Sequence, residues 1–64
     1  MPSFTVKQAR NHAGLRQIDM AEGMNIGVDT YRKIEKNPET ATIKQAKKIA
    51  ELTGLSLDFI FFGS

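Results

Sequence analysis

The chain has 64 residues, 41% of them hydrophobic, and nine Lys and Arg against seven Asp and Glu give it a net charge of +2. A chain of this length buries about 60% of the surface its unfolded form exposes, which makes one small domain with little room for a substrate cleft. It has no Cys and a single His, so disulfides, thiolate-held zinc and iron–sulfur centres are excluded, and a metal would rest on His12 alone.

Thr5 with Gln8 three residues on has the spacing of a capping box, and Val6, Ala9, Arg10 and Ala13 fall on one helical stripe that stops at Gly14. This predicts a first helix near 6–13. Leu15 leads into a second, near 17–24, where Ile18, Met20, Ala21 and Met24 share one side and Asp19, Glu22 and Gly23 the other. Met20 and Met24 read as core. Asp19 lies in the first turn, where the helix dipole favours an anion. Asn25, which tolerates the left-handed conformation, ends the helix.

The period resumes at Val28 for a third helix near 28–36, with Thr30, Tyr31 and Ile34 inward. Val28, Asp29, Arg32 and Lys33 occupy an outward arc of roughly 140°. Asn37 to Thr42 is a loop, because Pro38 biases Asn37 away from helix. Thr42 caps a fourth helix near 43–53, with Ile43, Ala46, Ile49 and Ala50 inward and Lys44, Lys47, Lys48 and Glu51 as a solvated face. Gly54 ends it, and Ser56 caps a last helix near 57–62. No segment alternates with period two, so the expected class is all-α, a compact five-helix domain over residues 1–64.

Two short amphipathic helices meeting at Asn25 have the grammar of a helix-turn-helix, and with these residues in hand the chain resembles the DNA-binding domains of the phage lambda-type repressor and Cro family. The matching positions are Gln17 opening the second helix, Ala21 four residues on, Asn25 at the turn, then Ile34 and Glu35. The run from Lys48, KIAELTGLSLDFIFF, matches a later stretch of the family pattern. The chain departs from the family at Arg16 and Gly27, where the caps of the second and third helices are less committed, and at Val28 and Asp29, where base-reading polar or basic residues are common.

The resemblance implies roles. The third helix enters the major groove. Arg32 would bond guanine O6 and N7, Lys33 a guanine or a phosphate, and Val28 a thymine methyl; Asp29 would accept from cytosine N4 or exclude wrong bases. Gln17 and the free amides opening the second helix would hold phosphates, flanked by Arg16, Lys36 and Asn37. On this basis Arg32→Ala relaxes preference at one base, and Gln17→Ala weakens all sequences alike. Arg10 and Glu35 fit a family pair that locks the third helix against the first. Leu57, Ile60 and Phe61 occupy family core positions, leaving Phe59 and Phe62 for a self-complementary dimer patch.

Elsewhere the plain readings prevail. His12 has no partner at catalytic spacing, and no activated nucleophile, phosphate-cradling glycine loop or metal cluster is legible, so an enzyme is not expected and no cofactor is implied. The start, MPSFTVKQ, lacks the apolar run of a signal peptide, and Leu57 to Phe62 is too short to span a bilayer, so a cytoplasmic protein is expected. The expected function is a sequence-specific transcriptional regulator, bacterial or phage-encoded, that occupies a double-stranded operator as a homodimer. With no sensor domain following the fold, a Cro-type or prophage repressor is expected. The rival is a protein-interaction module on the same fold, antitoxin-like or anti-repressor.

Overall fold

Capping chemistry sets most of the helix boundaries in the computed structural model, which describes residues 4–62. Helix α1 (Val6–His12) starts where the Thr5 hydroxyl accepts from the Gln8 amide at 3.1 Å while the Gln8 side chain accepts from the Thr5 amide at 2.9 Å. Thr42 and Gln45 repeat the arrangement at the start of α4 (Ile43–Thr53), with both bonds at 3.0 Å.

Helix α2 (Gln17–Met24) begins differently, because an Arg side chain has no acceptor to offer. Instead Asp19 reaches back and takes the Arg16 amide at 2.8 Å and its guanidinium at 3.0 and 2.9 Å. Asn25, with φ 58°, closes α2, and the Ile26 amide bonds the Ala21 carbonyl across it at 3.0 Å. Helix α3 (Val28–Lys36) follows Gly27 with no side-chain cap.

The core draws on every helix: Val6 and Ala9, Met20 and Ala21, Tyr31 and Ile34, Ala46 and Ile49 are buried. Where α2 approaches α4, a Cβ at Gly23 would meet the end of the flexible Leu52 side chain at 2.8 Å, which would have to shift. His12 is exposed, its ring 5.3 Å from that of Phe4.

The fifth helix expected over 57–62 is not formed. Leu57–Phe59 makes one 3-10 turn, with Ser56 Oγ accepting from the Asp58 amide at 3.4 Å. The chain then extends as a strand, β2 (Ile60–Phe61), parallel to β1 (Phe4–Thr5), with Phe4 opposite Ile60 and Thr5 opposite Phe61. Six residues cannot offset the cost of nucleating a helix, and the β-branched and aromatic residues at 59–62 suit an extended backbone. The fold therefore stays all-α apart from this two-residue ladder, with four α-helices among the described residues.

Side chains alternate along a strand, so the facing of the last residues reverses. Ile60 is buried, Phe61 turns outward at 40% exposure and Phe62 packs partly buried against the core. The expected inward Phe61 and outward Phe62 exchange places, and Leu57 is exposed rather than core. Ile18 and Ile43, expected inward, are exposed at 41% and 75%. Both lie in first turns, where side chains lean toward the helix start and off the packed segment.

Candidate nucleic-acid interface

Helix α3 is held on one side and open on the other. At about 100° per residue, Val28, Glu35, Tyr31 and Ile34 share one arc, and Arg32, Lys36, Asp29 and Lys33 the opposite one. Tyr31 and Ile34 are buried, and Val28 is half-buried against the core. This corrects the outward placement of Val28, which lies about 60° from Tyr31 and shares its side. Thr30, expected inward, falls beyond Ile34 at the edge of the arc and is exposed. The free face of α3 carries Asp29, Arg32, Lys33 and Lys36, all exposed.

A chain of hydrogen bonds runs from beneath this face to its surface. Arg10 donates from Nε to Glu35 Oε2 and from Nη1 to the Leu15 carbonyl at 2.9 Å. Tyr31 donates its hydroxyl to the same Glu35 oxygen at 2.6 Å, and Gln17 Nε2 donates to Oε1 at 3.0 Å. Gln17 Oε1 in turn accepts from Arg32 Nε at 3.1 Å, and Arg32 Nη1 donates to Asp29 at 3.2 Å.

Exposure rises along this chain. The side chains of Arg10 and Glu35 are 11% and 8% exposed, those of Arg32 and Asp29 57% and 95%. Burial works against ionising Glu35, yet the bonds from Arg10, Tyr31 and Gln17 outweigh it and hold the carboxyl below its ordinary range. Tyr31 is driven the other way, first by burial and then by donating to a carboxylate, so it stays a neutral donor far above neutral pH. The bond to Glu35 raises Arg10 further, and Glu35 with it clamps α3 onto α1 and the start of α2.

The remaining candidates lie around this centre. Arg16 is exposed but bound to Asp19, whose carboxyl it holds below the usual range. Asn37 is half-buried; its amide bonds the Lys33 carbonyl at 2.8 Å, and its carbonyl accepts from the Thr40 amide and hydroxyl. Lys44, Lys47 and Lys48 line an open groove with Met24, Ile26 and Glu51, and Lys48 lies 3.4 Å from Glu51. Phe59 is exposed, but Phe62 is not beside it on an outer face.

Two contacts of this site go beyond the sequence-based expectation, one made by Tyr31 and one joining Gln17 to Arg32, residues expected there in separate roles. Tyr31 as a donor to Glu35 was signalled by its i, i+4 spacing. The contact of Gln17 with Arg32 had no local signal, since it exists only because α2 packs on α3. A family model described as helix-turn-helix matches residues 6–60. No curated protein and no solved structure matches the chain.

Proposed function

Since the chain belongs to the lambda repressor/Cro-like helix-turn-helix family of DNA-binding regulators, we propose that it is a sequence-specific regulator of the Cro or prophage-repressor kind that reads the major groove with α3. The observation that carries this reading is the division of α3 into a face clamped through Glu35 and a free face with three cations and one carboxylate. A helix docked in a groove needs that division, with a rigid back and an open, mostly basic front.

In the docked arrangement Arg32 bonds a guanine edge while Lys33 and Lys36 serve bases or phosphates. Arg16, Asn37 and the amides opening α2 lie along the backbone. Half-buried Val28 keeps at most the edge of its side chain for a thymine methyl. One module of this size offers about 600–1,000 Å² to DNA, so tight operator binding calls for two copies on half-sites about 34 Å apart. Leu57, Phe59 and Phe61 supply exposed apolar surface for that pairing, with Phe61 in place of Phe62.

Selection of bound sequences from a random duplex library tests the reading, with a defined preferred site as the expected result. Salt-dependent binding with an even base preference would overturn sequence-specific regulation. Absence of any salt-dependent binding would point instead to a protein-interaction module, antitoxin-like or anti-repressor, on the same fold.

A further inference from the structure

We propose that Gln17 is a positioning residue for base recognition: its amide, oriented by Glu35, fixes the Arg32 guanidinium, so that Gln17 governs the same base-pair preference as Arg32. The inference rests on the DNA-reading role of α3 given above. It replaces the expectation that Gln17 serves only as a phosphate contact whose loss weakens every sequence alike.

The orientation of the Gln17 amide follows from its neighbours. On one side lies the Glu35 carboxylate, which can only accept, and on the other the Arg32 Nε–H, which can only donate. One of the two amide orientations satisfies both. Turning the amide over would set oxygen against carboxylate and N–H against N–H, losing both bonds. Glu35 is itself held by Arg10 and Tyr31, so the amide is anchored to the core of the fold and not to another surface chain.

The guanidinium is then held at two points. Nε–H goes to Gln17, and one Nη1 hydrogen goes to Asp29, one turn earlier on the same helix. Nη2 and the second Nη1 hydrogen have no partner among the described residues, and a guanidinium with three N–H donors to spare suits the paired O6 and N7 acceptors of guanine. Asp29, almost fully exposed, opposes rotation from the solvent side but is tied to nothing else among the described residues. Lys33 and Lys36, on the same face, have no such bracing among the described residues. Recognition gains when a side chain is ordered before binding, and the Gln17 brace orders Arg32 in the free protein.

The test is library selection with the wild-type chain, Gln17→Ala, Arg32→Ala and the double variant, each first shown to be folded by thermal unfolding. Gln17→Met, which keeps the stem and removes both hydrogen bonds, serves as a second variant. Arg32→Ala is expected to cost roughly five- to hundredfold in discrimination at one base pair. Gln17→Ala and Gln17→Met are expected to cost about two- to tenfold at that same base pair. The double variant should discriminate there no worse than Arg32→Ala alone, since a brace has nothing left to hold.

If the Gln17 variants lower affinity evenly and leave every base preference intact, or if the double variant is additive, the positioning role is overturned while the DNA-reading function stands. If the wild-type chain itself selects no site, that function fails and the proposal with it.

Discussion

Glu35 accepts three hydrogen bonds in a place where burial alone would disfavour its charge. Glu35→Ala leaves Arg10 partly buried without its partner and frees the Tyr31 hydroxyl, and the expected loss is about 3 kcal/mol. A domain of this size has only about 3–10 kcal/mol in total, so the urea midpoint should fall sharply or the transition disappear at room temperature. The same site sets the pH range of stability. The depressed Glu35 contributes fully above its ordinary value of 4.5 and ceases to as pH falls through its lower folded value. Tyr31 contributes fully below its ordinary 10.0, and that part is lost as pH rises beyond it. Tyr31→Phe should therefore flatten the alkaline limb of a stability–pH curve followed by circular dichroism. The acid limb should remain, because Arg10 and Gln17 still donate to Glu35.

Helix ends carry the second level of specification. Asn25 holds a left-handed conformation, which costs other L-residues about 1–2 kcal/mol. Asn25→Ala should lower stability by about 1 kcal/mol, whereas Asn25→Gly should be neutral or mildly stabilising. Thr42→Ala removes the hydroxyl that accepts from Gln45, with an expected cost of about 1 kcal/mol by thermal melting. These ends were legible in the sequence because capping is local: Thr5 with Gln8, Thr42 with Gln45, Asn25 and Gly54 each announce themselves within a turn. The facing of side chains was less legible. Period fixes the order of side chains around α3 but not where the buried arc ends, so Val28 and Thr30, at its two edges, exchange facing. Ile18 and Ile43 are exposed because first-turn side chains lie off the packed segment. The last segment was misread because its apolar residues suit a helix and a strand alike, and the choice was made by β1 at the other end of the chain. At the candidate site, Asp29, Arg32 and Lys33 were visible as one helix face, while the link from Gln17 to Arg32 required knowing how α2 lies on α3.

At the scale of the whole molecule, binding to duplex DNA should fall steeply with salt. Three to four neutralised phosphates per subunit predict a slope of log affinity against log salt of about −3, and a dimer should be steeper. Sedimentation with and without Phe59→Asp tests the pairing surface: loss of a dimer on substitution supports it, and a wild-type monomer well above micromolar concentration removes it. The ladder between β1 and β2 has a different kind of consequence. It joins Phe4 to Ile60, so nearly the whole chain must be in place before it can close, whereas the α-helices and the turn between α2 and α3 draw on neighbours in sequence. Two residues per strand give it little enthalpy to hold against that closure. The ladder should therefore form last and open first, and in native-state hydrogen exchange its amides should trade with solvent well before those of Tyr31 or Ile49. Ile60 is the ladder's contribution to the core, and each brief opening loosens its packing beside α1 while α2 and α3 stay assembled.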